Sequence, residues 1–378
     1  MQYRKLGKQD FLVSILGYGC MRLPTVEGDS NSSNILEKET FQIIHHAIDS
    51  GINYIDTAYR YHSGQSEAVI GKALKNGYRD KVKLATKSPL TLVKTPADYD
   101  RILDEQLKKL DVDNIDFYLF HGLNRESWNT VLRLEIIPRA EAAQKAGKIG
   151  HLCFSFHDSY EVFEEIINGY DKWAFCQIQY SFMDEKNQAG TKGLKLAASK
   201  GIGVVVMEPL RGGKLANPIK EVVALMKEYG HTGTLADMAL RWVWSQPEVS
   251  LALSGMTNMI HLEENLISVE KSALEPLSKN ELMLIEDIQS IYAQRTGITC
   301  TNCSYCMPCP QSIPIPRMLD LYNETVIYDY IDEPKRSYAY NSNIAGKCNQ
   351  CKECEKKCPQ EIPISKWMKK IHKTLSEK

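Results

Sequence analysis

Short apolar runs rich in valine, isoleucine and leucine recur through the first three-quarters of the chain. They fall at residues 15–19, 53–56, 82–86, 115–120, 149–155, 175–180, 203–207 and 251–254. Between them, residues 40–50, 66–74, 98–110, 137–146, 194–199 and 235–245 repeat apolar positions at helical spacing. The runs barely alternate, which suits parallel strands covered by helices on both faces. Several of the helical stretches stop at a glycine (Gly51, Gly147, Gly201), the residue that best accepts a left-handed C-cap. Eight such strand–helix units predict a (β/α)8 barrel of the TIM type, whose usual size is about 250 residues. A doubly wound open sheet would bring a Gly-x-Gly-x-x-Gly turn after the first strand, and Gly17 and Gly19 are not followed by the third glycine. A short hairpin over residues 2–4 and 12–14 is expected before the barrel, and a helix over 279–294 is expected to close it. Residues 295–297 then read as a hinge, which divides the chain into a barrel domain, 1–294, and a tail domain, 295–378.

Composition narrows the partners. With 43% hydrophobic and 25% charged residues the chain is an ordinary globular one, and a net charge of -1 argues against broad binding of nucleic acid or a membrane surface. No apolar run approaches the roughly 18 residues of a membrane span, and no apolar signal core follows the first residues. A cytoplasmic protein is expected. Of the 11 cysteines, eight crowd into two runs after residue 299. In a cytoplasmic chain that pattern points to a metal or cluster rather than disulfides. Cys20, Cys153 and Cys176 sit singly in strand-like runs and read as small buried hydrophobes.

The chemistry concentrates at the predicted strand ends, where α/β barrels keep their active sites. Asp56 ends the second run, Tyr61 follows five residues later, and Ser66-Glu67 opens the next helical stretch. Lys87 and His121 stand just beyond the third and fourth runs, and Ser155 and Gln177 close or interrupt the fifth and sixth. A lysine or a histidine alone at such a place is more often solvated or structural. Four acid–base residues at successive barrel positions can converge on one mouth.

The stretch Gly51-Ile52-Asn53-Tyr54-Ile55-Asp56-Thr57-Ala58 with Tyr61 and Ser66-Glu67, then Ala85-Thr86-Lys87, then Asp116 to His121, resembles the aldo-keto reductase family. Later matches at 201–205, Pro209-Leu210 and Glu264-Asn265 extend the resemblance over roughly residues 1 to 290. It implies reduction of a carbonyl by a nicotinamide nucleotide, with Tyr61 as general acid, Asp56 holding Lys87, and His121 orienting the carbonyl oxygen or relaying the proton. A phenol has a pKa near 10, and the expectation is that the Lys87 cation lowers it. The same resemblance implies cofactor contacts at Met21, Asp56, Ser155, Gln177, Met207, Pro209, Leu210, Gly212, Gly255, His261 and Asn265. Phe156 stands where the family commonly has asparagine, Met207-Glu208 where a tyrosine often stacks, and His261 where an arginine would meet a 2′-phosphate. The nucleotide is therefore NADP or NAD. The substrate pocket is expected to be lined by loops such as 122–128.

The cysteines fall as Cys300-x2-Cys303-x2-Cys306-x2-Cys309-Pro310 and Cys348-x2-Cys351-x2-Cys354-x3-Cys358-Pro359. The second run matches the bacterial ferredoxin pattern of thiolates around a [4Fe–4S] cube. Structural zinc usually pairs two separated Cys-x-x-Cys knuckles instead. The tail resembles a ferredoxin-type module with two [4Fe–4S] clusters. In such modules the fourth cysteine of each run ligates the other cluster, which would group Cys300, Cys303, Cys306 and Cys358 on one cube and Cys348, Cys351, Cys354 and Cys309 on the other. The first run has two residues, not three, before its last cysteine. The sequence thus reads as a carbonyl- or alcohol-directed oxidoreductase with two clusters. The alternative is an electron-transfer protein that couples a nicotinamide nucleotide to its clusters and to a ferredoxin-like partner.

Overall fold

The computed structural model describes residues 1–26, 28, 32–274, 276–295, 297–300, 305–342 and 344–377. A two-stranded hairpin, β1 (Tyr3–Lys5) and β2 (Leu12–Ser14), precedes eight parallel strands: β3 (Leu16–Gly19), β4 (Tyr54–Asp56), β5 (Lys83–Ser88), β6 (Ile115–Leu123), β7 (Ile149–Phe156), β8 (Phe175–Gln179), β9 (Gly203–Met207) and β10 (Leu251–Ser254). They close in sequence order, with β10 pairing back onto β3 through Ala252–Leu16 and Leu253–Gly17. The helices that follow them are α1 (Glu37–Asp49), α2 (Ser66–Ala73), α3 (Pro96–Leu110), α4 (Arg125–Arg133), α5 (Ile136–Lys145), α6 (Tyr160–Gly169), α7 (Gly190–Ser199), α8 (Lys220–Glu228), α9 (Leu235–Trp244) and α10 (Met259–Leu274). Gly51, Gly147 and Gly201 do take left-handed φ of 97°, 75° and 71° between helix and strand.

The barrel interior shows why the site sits where it does. Tyr54, Ala85, Leu119, Cys153, Phe175 and Val205 point inward into one buried cluster. Side chains two apart on a strand share a face. The residues two positions further on are Asp56, Lys87, His121, Ser155, Gln177 and Met207. The pleat that fills the core with apolar groups therefore delivers a ring of mostly polar groups to the barrel mouth. At the other end the hairpin packs tightly. A side chain on Gly7, whose φ is 59°, would put its Cβ 2.4 Å from the backbone nitrogen of Gly203. Cys20, Cys153 and Cys176 are fully buried, as expected.

Compactness divides the chain into two units, residues 1–215 with 233–278, and residues 216–232 with 279–378. The helix α11 (Lys279–Gln294), expected to close the barrel, belongs to the second unit together with α8. The Tyr229 hydroxyl donates to Asp287 at 2.5 Å, Arg295 pairs with Glu221 at 2.8 Å, and Tyr292 packs on Tyr328. The expected hinge at 295–297 includes Thr296, which lies outside the described residues.

The rest of the second unit is helical: α12 (Ile315–Tyr328), α13 (Asp332–Tyr340), the short α14 (Glu353–Lys356) and α15 (Ile364–Ser376). A repeat organises it. Cys309-Pro310-Gln311-Ser312-Ile313-Pro314-Ile315 leads into α12, and Cys358-Pro359-Gln360-Glu361-Ile362-Pro363-Ile364 leads into α15. In both copies the fourth residue is left-handed (Ser312 φ 55°, Glu361 φ 51°) and donates its amide to the cysteine carbonyl. The isoleucines of both copies share one buried core with Met318, Leu321, Met368 and Ile371. Among the described residues, no helix is long and apolar enough to cross a membrane.

Candidate active site and cysteine cavity

A cleft of about 280 Å³ opens at the barrel mouth, and Asp56, Tyr61, Lys87 and His121 all line it. Lys87 is its hub. Its ammonium donates to Asp56 Oδ1 at 2.5 Å, to the Thr57 carbonyl at 2.8 Å and to the Tyr61 hydroxyl at 3.3 Å. Lys87 is 1% exposed and Asp56 2%, so the ion pair stands out of water. Burial alone would lower the lysine's pKa, but Asp56 and Tyr61 outweigh it and hold the ammonium above its usual range. His121 meets the Tyr61 ring nearly edge-on at 6.1 Å. Tyr61 is carried on a turn whose next residues, His62 and Ser63, are both left-handed at φ 53°. The His62 imidazole anchors that turn, accepting from the Leu23 amide at 3.1 Å and meeting the Ser32 carbonyl at 3.0 Å.

The expected lowering of the Tyr61 pKa is not the net result. Burial raises it, and the opposing pull of Lys87 is the smaller effect. The phenol therefore holds its proton at neutral pH, while the cation is placed to receive the charge that forms when the proton leaves. His121 goes the other way. Burial first, and then Lys87 and His157, push its pKa down to about 3, so the imidazole is neutral.

The expected cofactor positions divide. Met21, Ser155, Gln177, Met207, Pro209, Leu210, Gly212 and Gly255 line the same cleft. His261 is exposed and hydrogen-bonds Asn258, and Asn265 is buried and donates to Ser254 Oγ at 2.8 Å; neither lines the cleft. Nor do residues 122–128, because β6 continues to Leu123 and Asn124 caps α4 by accepting from the Ser127 amide. Gly19, Gly213, Leu253 and Ser254 also line the cleft, as do three ionisable residues outside the expected site positions: Arg22, His157 and Glu208. His157 follows Ser155 by two, so the alternation rule extended past the strand end would have found it; Glu208 follows Met207 directly, and alternation would have placed it on the opposite face. Phe156 points away from the cleft and packs on Phe163.

The residues present fit a nicotinamide. Gln177 Oε1 is buried without a hydrogen-bond partner, and Ser155 Oγ accepts from the Gly122 amide at 2.8 Å, which leaves its own proton to give. An amide-bearing ring between them would satisfy both groups.

In the second unit, Cys309 from the first cysteine run lines one small cavity with Cys348, Cys351 and Cys354 from the second, and Cys306 joins them. Cys300 and Cys358 pack on the adjoining apolar core, and Cys303 lies outside the described residues. Among the described residues, no three such side chains already stand at ion-binding separation. In kind, however, the thiols on that cavity suit an iron–sulfur cube, and the five of them include the four that one cube needs.

Residues 15–290 match the family model described as the aldo/keto reductase family, and residues 299–363 match that of a 4Fe-4S dicluster domain. A protein of Glycine max called probable aldo-keto reductase 1 is 27% identical over 299 residues, 69% of this chain and 82% of that one. The uncharacterized oxidoreductase YrpG of Bacillus subtilis is 28% identical over 337 residues, 76% of this chain and 96% of that one. Among solved structures, the thermostable aldo-keto reductase Tm1743, crystallised with the inhibitor epalrestat, superposes with a TM-score of 0.62 at 26% identity, covering 76% of this chain and 99% of that one. The holo form of the aldo-keto reductase AKR11C1 from Bacillus halodurans gives 0.60 at 25% identity, covering 76% and 96%.

Proposed function

The chain belongs to the aldo/keto reductase family and carries a 4Fe-4S dicluster domain behind its barrel; from that premise we propose that it interconverts an aldehyde or ketone and its alcohol with NADP(H) or NAD(H). One observation carries this reading: a single buried ammonium, Lys87, touches both Asp56 and the Tyr61 hydroxyl at the floor of the cleft. A bound nicotinamide supplies hydride to the carbonyl carbon. Tyr61 gives its proton to the carbonyl oxygen, and Lys87 stabilises the phenolate that results. Asp56 keeps Lys87 charged and aimed. Neutral His121 holds the carbonyl oxygen against Tyr61. Ser155 and Gln177 hold the carboxamide side of the nicotinamide. Cys300, Cys303, Cys306 and Cys358, and Cys309 with Cys348, Cys351 and Cys354, would hold two [4Fe–4S] clusters, which supply one-electron chemistry.

The second reading, exchange of electrons between the clusters and a ferredoxin-like partner, has its own support. Cys351 is exposed, and Lys352 and Lys357 line the cavity to which it belongs.

The deciding experiment uses anaerobically purified protein. NADPH or NADH is added with and without a test aldehyde, and nicotinamide absorbance and cluster EPR are followed together. Aldehyde-dependent oxidation, lost in Tyr61→Phe while nucleotide still binds, is the expected result. Unchanged turnover in that variant sinks the role of Tyr61, and cluster reduction by nucleotide alone favours the second reading.

A further inference from the structure

Asp56 and Lys87 sit on neighbouring strands, yet the sheet does not hold them together where they meet. The β4–β5 register ends at Asp56 opposite Ala85, with a last bond from the Thr57 amide to the Ala85 carbonyl at 2.9 Å. On its other edge β5 stays paired with β6 through Thr86 opposite Tyr118 and Lys87 opposite Leu119, but its β4 edge is unpaired beyond Ala85. Above Ala85 something other than the ladder has to set the gap between the two strand ends.

Two adjacent residues at the start of α2 bridge it. The hydroxyl of Ser66 meets that of Thr57 at 2.8 Å, next to Asp56. Glu67 Oε1 accepts from the Thr86 hydroxyl at 2.7 Å, next to Lys87, and from Gln106 Nε2. Gln106 in turn donates to the Lys87 carbonyl at 3.2 Å, and its own Oε1 accepts from the Tyr118 hydroxyl at 2.6 Å, which fixes which way the amide faces. Thr57, Ser66, Glu67, Thr86 and Gln106 are all 0% exposed. A solvent-exposed helix start needs no such arrangement, and burying a carboxylate this deeply is costly. Burial raises the Glu67 pKa, and among the described residues the cations that oppose this are Lys109, 3.8 Å from Oε2, and Lys87.

We infer that Ser66 and Glu67 are positioning residues: acting through Thr57, Thr86 and Gln106, they hold the Asp56 and Lys87 strand ends at the separation that keeps the Lys87 ammonium on Tyr61. Neither touches the cleft. The inference rests on the proposed role of Tyr61 only for its importance, not for its test. Tyr61 is faced by Lys87 and Asp56 from β5 and β4, by Cys20 from the turn after β3, and by His121 from β6. Of these, Lys87 alone pulls its pKa down strongly, so slackening the clamp should raise it.

The measurement is a pH titration of Tyr61 in the full-length cluster-loaded protein, by NMR of ring-labelled tyrosine. Loss of one signal in Tyr61→Phe assigns it among the 19 tyrosines. In Glu67→Ala the Tyr61 pKa should rise by about half a unit, roughly a threefold fall in its ionisation constant. Glu67→Gln keeps an acceptor for Thr86 and Gln106 and should leave the titration close to that of the parent. The sign separates position from charge. Losing the Glu67 anion as a distant charge would lower the Tyr61 pKa, not raise it. Should Glu67→Ala fail to fold, Thr86→Val removes one strut at constant shape and should also raise the value. In a protein that reduces carbonyls, the same variants should lower kcat about tenfold while KM for the nucleotide stays within about twofold. A Tyr61 pKa that stays put or falls in the folded variants overturns the inference. A raised pKa in a protein that reduces no carbonyl leaves it standing and overturns the functional reading instead.

Discussion

Removing the partner of Lys87 should cost the barrel far more than replacing the pair. In Asp56→Leu the ammonium keeps only the Thr57 carbonyl at 2.8 Å and the Tyr61 hydroxyl at 3.3 Å, in a place where the lysine is 1% exposed. Orphaning one half of a buried ion pair typically costs about 3–5 kcal/mol. In Asp56→Leu/Lys87→Met neither charge is buried, and such apolar replacements are often neutral, so stability should return to within about 1 kcal/mol of the parent. Activity should not return in any of these variants. Urea unfolding followed by tryptophan fluorescence measures this, in a Trp367→Phe background. The remaining Trp128, Trp173, Trp242 and Trp244 all lie in the first unit, so the signal reports the barrel. With a slope on the order of 3 kcal/mol per molar urea, the single variant's midpoint should fall by roughly 1–1.7 M. A single variant within about 1 kcal/mol of the parent, or a double variant no better than the single, refutes the claim that Lys87 and Asp56 compensate each other's burial.

Three further expectations concern other parts of the molecule. His121 has a folded pKa of about 3, against an ordinary value near 6.5, so the unfolded chain takes the proton first. Its share of stability is complete above about pH 6.5 and is lost as pH falls toward 3, roughly 1 kcal/mol by pH 5.5; His121→Gln should show a shallower loss between pH 7.5 and 5.5, and an equally steep one contradicts the assignment. Gly71→Ala should destabilise the barrel by about 1–3 kcal/mol in the same urea assay. The added Cβ would stand 2.4 Å from the carbonyl oxygen of Leu110, forcing α2 away from α3. Cys309→Ser should remove the same cluster EPR signal as Cys351→Ser, because the two thiols line one cavity; a different signal lost in each would separate them.

All eight barrel strands were legible in the sequence, with ends shifted by at most three residues, because each is a buried apolar run flanked by helix signals. Asp56, Lys87 and His121 could be read as a group for the same reason: they continue the inward face of three neighbouring strands. The net pKa of Tyr61 was not legible, since it depends on how much water the folded cleft excludes and not only on which charges are near. Nor was the surrounding polar rim. Arg22 and Glu208 stand beyond the strands, where side-chain direction follows the turn and not the pleat. Helix α11 was correctly bounded, but its grouping with α8 in the second compact unit was not legible, because an amphipathic pattern gives the face to be buried and not the surface that buries it. The repeated Cys-Pro-Gln-x-Ile-Pro-Ile was open to inspection, and a search for internal similarity would have shown that each cysteine run ends on the same turn into a helix.

That repeat bears on how the protein is made. Cys309 ends the first copy, yet it lines its cavity with thiols of the second. With Cys309 committed there, the first run keeps three cysteines, and the proposed fourth ligand, Cys358, ends the second copy close to the C-terminus. Neither half of the tail can then complete a four-thiol set during synthesis of the half alone. On that proposed grouping, a chain cut before Cys354 completes neither set, and one cut between Cys354 and Cys358 completes only the set that contains Cys309, so iron loading has to follow synthesis of the second cysteine run.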